Sequence, residues 1–574
     1  MHTQNRAVAV PRVVAGLCIA AVGTLSLVSA LTPDVPWRRH LLLAAEPGPV
    51  MKLGHVLAAA GGLALIYVGW STLRRRRRAA NISIGALVAL AFVHAAKGLD
   101  YEESALALSL AALLWSVRRS CTHGGAPGKA WIAALVAVAA VATAYALNVA
   151  TLLNARPALG LGQAFHGAAS ALADGAWWLR SGEPGAVALD ALLVIAVLAA
   201  GAFLHSLLRP AQATNGHSPE DHRRAAKILL RHGRDSLDPF ALREEKTFFF
   251  SRGGMLAYRT LRGTAVVSGD PIGPPGEGAG IVEDFLRFAA DRGWEVVLTA
   301  ASERLLPDYG GLGLHAVCIG EEAVVNPAEF SLEGRSIRKV RQSLHRAERQ
   351  GWTLAVVAGV QPASELAREL AAVEAHWRAG RTRLYGFAMS LGRLWGSPED
   401  TTAVYALARA PGGELRTFVR FARCADLLSL DVMRRSGGEP NGMNEALIAR
   451  TLEWARDQQV SEVSLNFAGF AHIMAARTDA NRLQPLMRRA LELVHGRFQL
   501  ERLMAFNNKF DPTWRRRFLV YGGHTYLPLA ALRVLQAEAY IRPPRGRRAR
   551  SRRWQPMTDF AGAHLPLERP GATR

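Results

Sequence analysis

Between residues 12 and 208 the chain runs almost entirely in alanine, leucine and valine, with few charges, and this restricts what that third can become. A helix that crosses a bilayer core needs about 20 apolar residues. Six stretches approach that length, at 12–31, 50–73, 81–99, 101–117, 130–154 and 186–208, the fourth being the shortest. The first lacks a clean cleavage site and precedes further spans, so it reads as a retained helix rather than a signal peptide. Arg6 and Arg12, the run Arg74 to Arg78, Arg118, Arg119 and Lys129, and Arg209 all fall on one side of a six-span arrangement. The positive-inside rule makes that side cytoplasmic, although Arg38 and Arg39 count against the pattern. Charges within the spans are scarce, which favours an anchor or a lipid-handling role over an ion pathway. Trp177 and Trp178 suit an interfacial anchor in the 155–185 segment.

The formal net charge is +22, so the polar part of the chain should attract polyanions, either nucleic acid or an anionic membrane face. Cys18, Cys121, Cys318 and Cys424 are far apart, with no CxxC and no histidine at ligand spacing. That pattern argues against a disulfide framework or a structural zinc site and fits a reducing compartment.

Beyond a polar linker, placed at 210–239, strand and helix patterns alternate. KTFFFS (246–251), MLAYR (255–259) and TAVVS (264–268) are β-rich runs separated by glycine turns, the pattern of an antiparallel meander. Helix-then-strand patterns follow at 281–299, 335–358 and 443–467. The fold class expected is an N-terminal α-helical transmembrane bundle (1–209) followed by an α/β, mixed-sheet domain (240–530) and a basic tail (531–574). The tail segment RPPRGRRARSRRW, 542–554, reads as a disordered polycation.

One helix stands out. Ile337, Val340, Leu344 and Ala347 form an apolar stripe, leaving Arg335, Arg338, Lys339, Arg341, Arg346 and Arg349 on the other faces, with Glu348 the one acid between 335 and 349. Contact with phosphates of RNA or lipid is one reading and a solvated charged face is the other.

Several strings then occur in order: GDPIGP (269–274), the basic helix, GFAMSLG (386–392), SLDVMRR (429–435), GMNEALIARTLEW (442–454), LNFAGFA (465–471) and AFNNKFDPTWRRRF (505–518). Over roughly 240–530 this ordered set resembles the C-terminal domain of the phosphatidylglycerol lysyltransferase family, in its shorter actinobacterial type and without a lysyl-tRNA synthetase domain. The resemblance implies a tandem acetyltransferase-like (GNAT) fold in a multi-pass protein of the bacterial plasma membrane, with the catalytic domain in the cytoplasm. It implies no metal or cofactor. The partners implied are aminoacyl-tRNA and phosphatidylglycerol with other anionic lipids; self-association into a homo-oligomer stays open. LNFAGFA departs from the family's usual glycine and methionine in that strand, so the identity of the amino acid does not carry over.

The resemblance assigns catalytic roles to Asp431 and Arg434, which match its Asp-x-x-Arg signature, and to Lys509, which matches its Lys-Phe-x-Pro-x-Trp signature. Arg338, Lys339, Arg341, Trp377, Ser390, Phe506, Phe510, Trp514 and Arg516 are the expected substrate-binding residues. A physical reading has Asp431 orient or deprotonate a lipid hydroxyl, and Arg434 bind phosphate or a developing oxyanion. In a straight strand these two side chains point to opposite faces, so a bulge or strand end is required near 433. The alternatives are a structural salt bridge for Asp431 and Arg434, and a core role for the aromatics with Lys509 reaching outward.

Overall fold

In the computed structural model the described residues are short helical pieces between 17 and 164, and the stretches 215–379, 386–469, 498–523 and 526–541. The chain divides into one unit of Met1–Gln212 with Phe288–Trp294 and a second of Ala213–Arg287 with Glu295–Arg574. In the first, Ile19, Leu87, Ala91, Leu110 and Ala111 pack together. The six expected spans fall largely outside the described residues, as do the arginine run at 74–78, the tryptophan pair at 177–178 and the tail at 542–554. Among the described residues no helix is long and apolar enough to cross a membrane.

The second unit begins within the stretch expected as a linker. Helix α1, Pro219–His232, starts at Ser218, whose side chain accepts from the Asp221 backbone while Asp221 reaches back, with proline in the first turn. Such reciprocal capping fixes a helix start, and the apolar face supplies the rest of the stability. Ala225, Ala226 and Leu229, with Phe240 and Leu242 from the following turn, are buried in the core, so residues 219–242 belong to the folded domain. At the other end a helix at Leu527–Ala537 buries Ala530 and Val534 in the same core, carrying the domain past the boundary expected at 530.

The strands are β1 (Thr247–Ser251), β2 (Gly254–Leu261), β3 (Thr264–Ser268), β4 (Glu295–Ser302), β5 (His315–Val325), β6 (Thr353–Ala358), β7 (Val404–Arg409), β8 (Leu415–Cys424), β9 (Leu427–Arg435), β10 (Glu462–Gly469) and β11 (Thr513–Tyr521). The intervening helices are α2 (Gly278–Asp291), α3 (Leu306–Gly311), α4 (Arg338–Arg349), α5 (Glu365–Arg378), α6 (Met443–Asp457) and α7 (Phe498–Asn507), with α8 the closing Leu527–Ala537. The meander and helix-strand patterns read from the sequence correspond to these elements.

One pattern occurs twice. An antiparallel meander, β1-β2-β3, leads through α2 to β4, which pairs parallel with β3; β7-β8-β9 leads through α6 to β10, which pairs parallel with β9. Each half then adds a helix and a final strand, α3-β5 and α7-β11. Those final strands are exchanged, because the single sheet runs β1-β2-β3-β4-β11-β5-β10-β9-β8-β7-β6. The result is a tandem, acetyltransferase-like mixed sheet.

Alternation along the strands sorts the second half into two layers. Val404, Ala406 and Ala408 pack with Val340 of α4 and with Leu447 and Leu452 of α6. Tyr405 and Leu407 face the other way, against Leu370 and Val373 of α5. Gly442 caps α6 at φ 91, and a Cβ there would lie 2.2 Å from Ser343 Oγ, so glycine serves both the turn and the close approach of α4. Leu447 has no exposed surface. Leu447→Ala is therefore expected to cost about 2–5 kcal/mol, read as a lower denaturation midpoint of the full chain in detergent, whereas an unchanged midpoint would contradict the packing of α6.

Candidate active site

The pairing of β8 with β9 skips one residue: Arg420 lies opposite Val432 and Phe421 opposite Leu430, which leaves Asp431 as the extra residue of a bulge. The bulge required by the sequence thus sits at 431 rather than 433. Its consequence is geometric, because an inserted residue resets the alternation. Leu430 faces the α6 layer while Val432 and Arg434 face α5, and Asp431 turns toward that α5 side.

Asp431 is buried and fully engaged. Its Oδ1 accepts from Ser390 Oγ at 2.8 Å and from the Leu391 backbone N–H at 2.9 Å, while Oδ2 pairs with Arg420. Arg434 pairs with Glu374 of α5, and its guanidinium lies 3.7 Å from the centroid of the Trp377 ring. Burial pushes the Arg434 guanidinium down from its usual value, in opposition to the Glu374 charge. Asp431, Arg434, Trp377 and Ser390 are therefore brought into one neighbourhood.

Loop 386–392 is held as a platform. Arg243 donates to the carbonyls of Gly386 and Ser390 at 2.8 and 3.1 Å, and the Glu538 carboxylate accepts the N–H groups of Phe387 and Ala388 at 2.7 and 3.1 Å. Behind Asp431, Arg420 also donates to Asp400 at 3.1 Å and to the Tyr405 hydroxyl at 3.1 Å, and Arg393 donates to Asp400 at 3.0 Å. Burial alone would raise the Asp400 carboxyl, but Arg393 and Arg420 outweigh it and hold it low. Arg420, Asp400 and Arg393 were not singled out from the sequence. Arg420 had one readable signal, an arginine at an inward position between the alternating apolar residues Phe418 and Ala422.

Lys509 lies in the other layer. Its Nζ donates to Glu445 of α6 at 2.7 Å and sits 5.4 Å from the Phe506 ring centroid. Phe510 is core, and Phe506 and Trp514 pack at the edge of that same core. The partners of Asp431 and Arg434 thus do not include Lys509, because α5 and α6 cover opposite faces of the sheet.

The basic residues divide by exposure. Arg338 and Lys339 are exposed on α4, and no ion-pair partner appears for either among the described residues. Arg341 instead donates to the carbonyls of Leu332 and Gly334. Arg516 pairs with Glu303, and Arg515 with Glu462. Arg517, the third arginine of that run, is buried against Asp235 and Glu322 and serves the core. Arg234, Arg304, Trp514 and Arg515 to Arg517, together with Asp235 and Glu303, nevertheless border an open groove of about 390 Å³.

The family model for the C-terminal region of phosphatidylglycerol lysyltransferase matches residues 226–521, more than half of the 574-residue chain. The chain belongs to that family. It is 33% identical over 365 residues to the lysylphosphatidylglycerol biosynthesis bifunctional protein LysX of Rhodococcus jostii, a match covering 62% of this chain and 32% of that protein. An MprF-like domain protein of Mycobacterium tuberculosis is 35% identical over 318 residues, 54% of this chain and 65% of the relative. The chain spans about a third of the length of the LysX relatives it matches. Among solved structures, L-PGS from Bacillus licheniformis aligns with 57% of this chain and 98% of its own at 23% identity and a TM-score of 0.49. The C-terminal domain of a putative lysylphosphatidylglycerol synthetase from Agrobacterium fabrum aligns with 57% and 99% at 24% identity and a TM-score of 0.48.

Asp431→Ala would leave buried Arg420 with one carboxylate fewer, at a cost of about 3–5 kcal/mol, while Asp431→Asn keeps the shape and should cost less; paired denaturation curves test that order. Asp238 supplies a pH test. Burial and the neighbouring Asp235 charge push its carboxyl up to about 8. A carboxyl with a raised folded-state value adds stability that is complete below its unfolded value of about 3.9 and is lost as pH rises through the folded one. The melting temperature of Asp238→Asn should accordingly fall less than that of the wild type as pH rises toward about 8, and parallel curves would contradict this.

Proposed function

We propose that the chain transfers an aminoacyl group, lysyl on the family's pattern, from aminoacyl-tRNA to phosphatidylglycerol at the cytoplasmic face of the membrane. The observation that carries the reading is the family match over 226–521, which includes Asp431, Arg434 and Lys509. The donor ester is already activated, so no ATP is required. The glycerol hydroxyl oxygen bonds to the ester carbonyl carbon, the bond to the tRNA ribose oxygen breaks, and the proton of the attacking hydroxyl ends on that ribose oxygen.

With both oxygens of Asp431 occupied, its part is to orient Ser390 and the 386–392 loop rather than to abstract the proton. Arg434, stacked on Trp377, is placed to receive the lipid phosphate by sharing its guanidinium with Glu374. Lys509 and the exposed Arg338 and Lys339 lie in the other layer and suit the RNA phosphates, whose binding is electrostatic and salt-sensitive. Residues 1–209 form the membrane region in this scheme, and the arginine-rich tail adds attraction to anionic lipid. A cationic head group lowers the surface's negative charge, so resistance to cationic peptides is the benefit expected.

Expression of the full chain in a host lacking modified lipids, followed by thin-layer analysis, should yield a ninhydrin-positive lipid absent from the empty-vector strain. Membranes from that strain should label phosphatidylglycerol from charged tRNA and not from free amino acid with ATP. No new lipid despite correct membrane insertion would overturn the reading.

A further inference from the structure

Strands β9 and β10 pair in parallel only from Leu427 to Ser429 and from Glu462 to Ser464, and beyond that point they separate. A strand that loses its neighbour exposes carbonyl and amide groups that must find other partners. At the separation stands Asn466. Its backbone is left-handed, φ 75, and it lies where the pairing of β10 with β5 slips between Ser464 and Phe467. Asparagine is one of the few side-chain-bearing residues that enters this region readily.

The side chain of Asn466 does what the missing ladder would have done. Its Nδ2 donates to Leu430 O at 2.7 Å and to Met389 O at 2.7 Å. Leu430 immediately precedes Asp431, and Met389 immediately precedes Ser390. Ser390 and Asp431 are themselves joined at 2.8 Å. The amide therefore closes a small ring from β10 through β9 and the 386–392 loop. The bulge beneath it is anchored as well: the Asn466 N–H donates to Ser464 Oγ at 3.0 Å, and that hydroxyl donates to buried Glu322 at 2.5 Å.

We propose that Asn466 is a positioning residue for the transfer, holding β9 and β10 apart and setting the spacing of Ser390 and Asp431 through Met389 and Leu430. This rests on the reading of the Asp431 neighbourhood as the site of aminoacyl transfer. A displaced reacting geometry costs turnover rather than affinity. Two substitutions separate the amide from the backbone it occupies. Asn466→Gly keeps the left-handed backbone and removes both donors. Asn466→Asp keeps size and shape but sets an acceptor against two carbonyl oxygens, a conflict relieved when the new carboxyl takes up a proton and can donate.

The test measures amide hydrogen exchange over residues 386–392 in the full chain and, separately, transfer kinetics in membranes with charged tRNA and phosphatidylglycerol. Both variants should speed exchange at Ser390 and Leu391. They should lower kcat about 10- to 100-fold with KM for charged tRNA nearly unchanged, and the Asn466→Asp activity should recover as pH is lowered while the wild type does not. Wild-type turnover with unaltered kcat in both variants would overturn the role of Asn466 and leave the proposed function standing. If the wild type itself forms no aminoacyl lipid, the proposed function falls, and with it the catalytic purpose of Asn466. Unchanged exchange over 386–392 in both variants would overturn the clamp whatever the activity.

Discussion

Where the two halves of the sheet exchange strands, Arg517 of β11 donates to Glu322 of β5 at 2.9 Å, and neither side chain has appreciable exposure. An ion pair taken out of water survives only if the rest of its hydrogen-bonding capacity is met. Here it is met from several elements at once: Ser236 and Ser464 donate to Glu322, and Arg517 also reaches Asp235 at 2.9 Å. The turn after α1, the two exchanged strands and β10 are thereby tied at one point. Ser429 Oγ adds β9 by donating to Ser236 O, two residues ahead of Asp431.

The site follows from this junction and from one inserted residue. A regular β9 would send Asp431 and Arg434 to opposite layers, and the bulge turns both toward α5. What surrounds them is mostly structural: a carboxylate with both oxygens committed, an arginine stacked on an indole, and a loop pinned by Arg243 and Glu538. Preorganisation of this kind suits the proposed transfer, in which two large substrates would need orienting more than a bond would need activating. The arginines of β11 show why charge runs are poor guides to binding. Arg515 and Arg516 face solvent with carboxylate partners, while Arg517 between them and the core is a buried member of the junction.

Much of the fold was legible in the order of residues. The meander of β1 to β3, the apolar stripe of α4 and the succession of α6 and β10 all follow from spacing within a few residues, because side-chain periodicity is a local property of the backbone. The family motifs are likewise local strings, and alternation demands a bulge once the resemblance puts Asp431 and Arg434 at one site. The capping box of α1 was also present in the sequence, at Ser218 and Asp221, but lay hidden in a stretch whose polarity suggested a linker.

Tertiary structure decided what depends on partners far along the chain. Arg517 meets Asp235 across 282 positions, Ser390 meets Asp431 across 41, and Lys509 meets Glu445 across 64. No periodicity carries such information, and so the exchange of β5 with β11, the partners of buried Arg420 and the placement of Asn466 could not be read in advance. The sequence by itself determined which elements form and which family's chemistry they resemble. Only the packed sheet determined which faces those residues share, because burial and pairing are settled between strands and not along them.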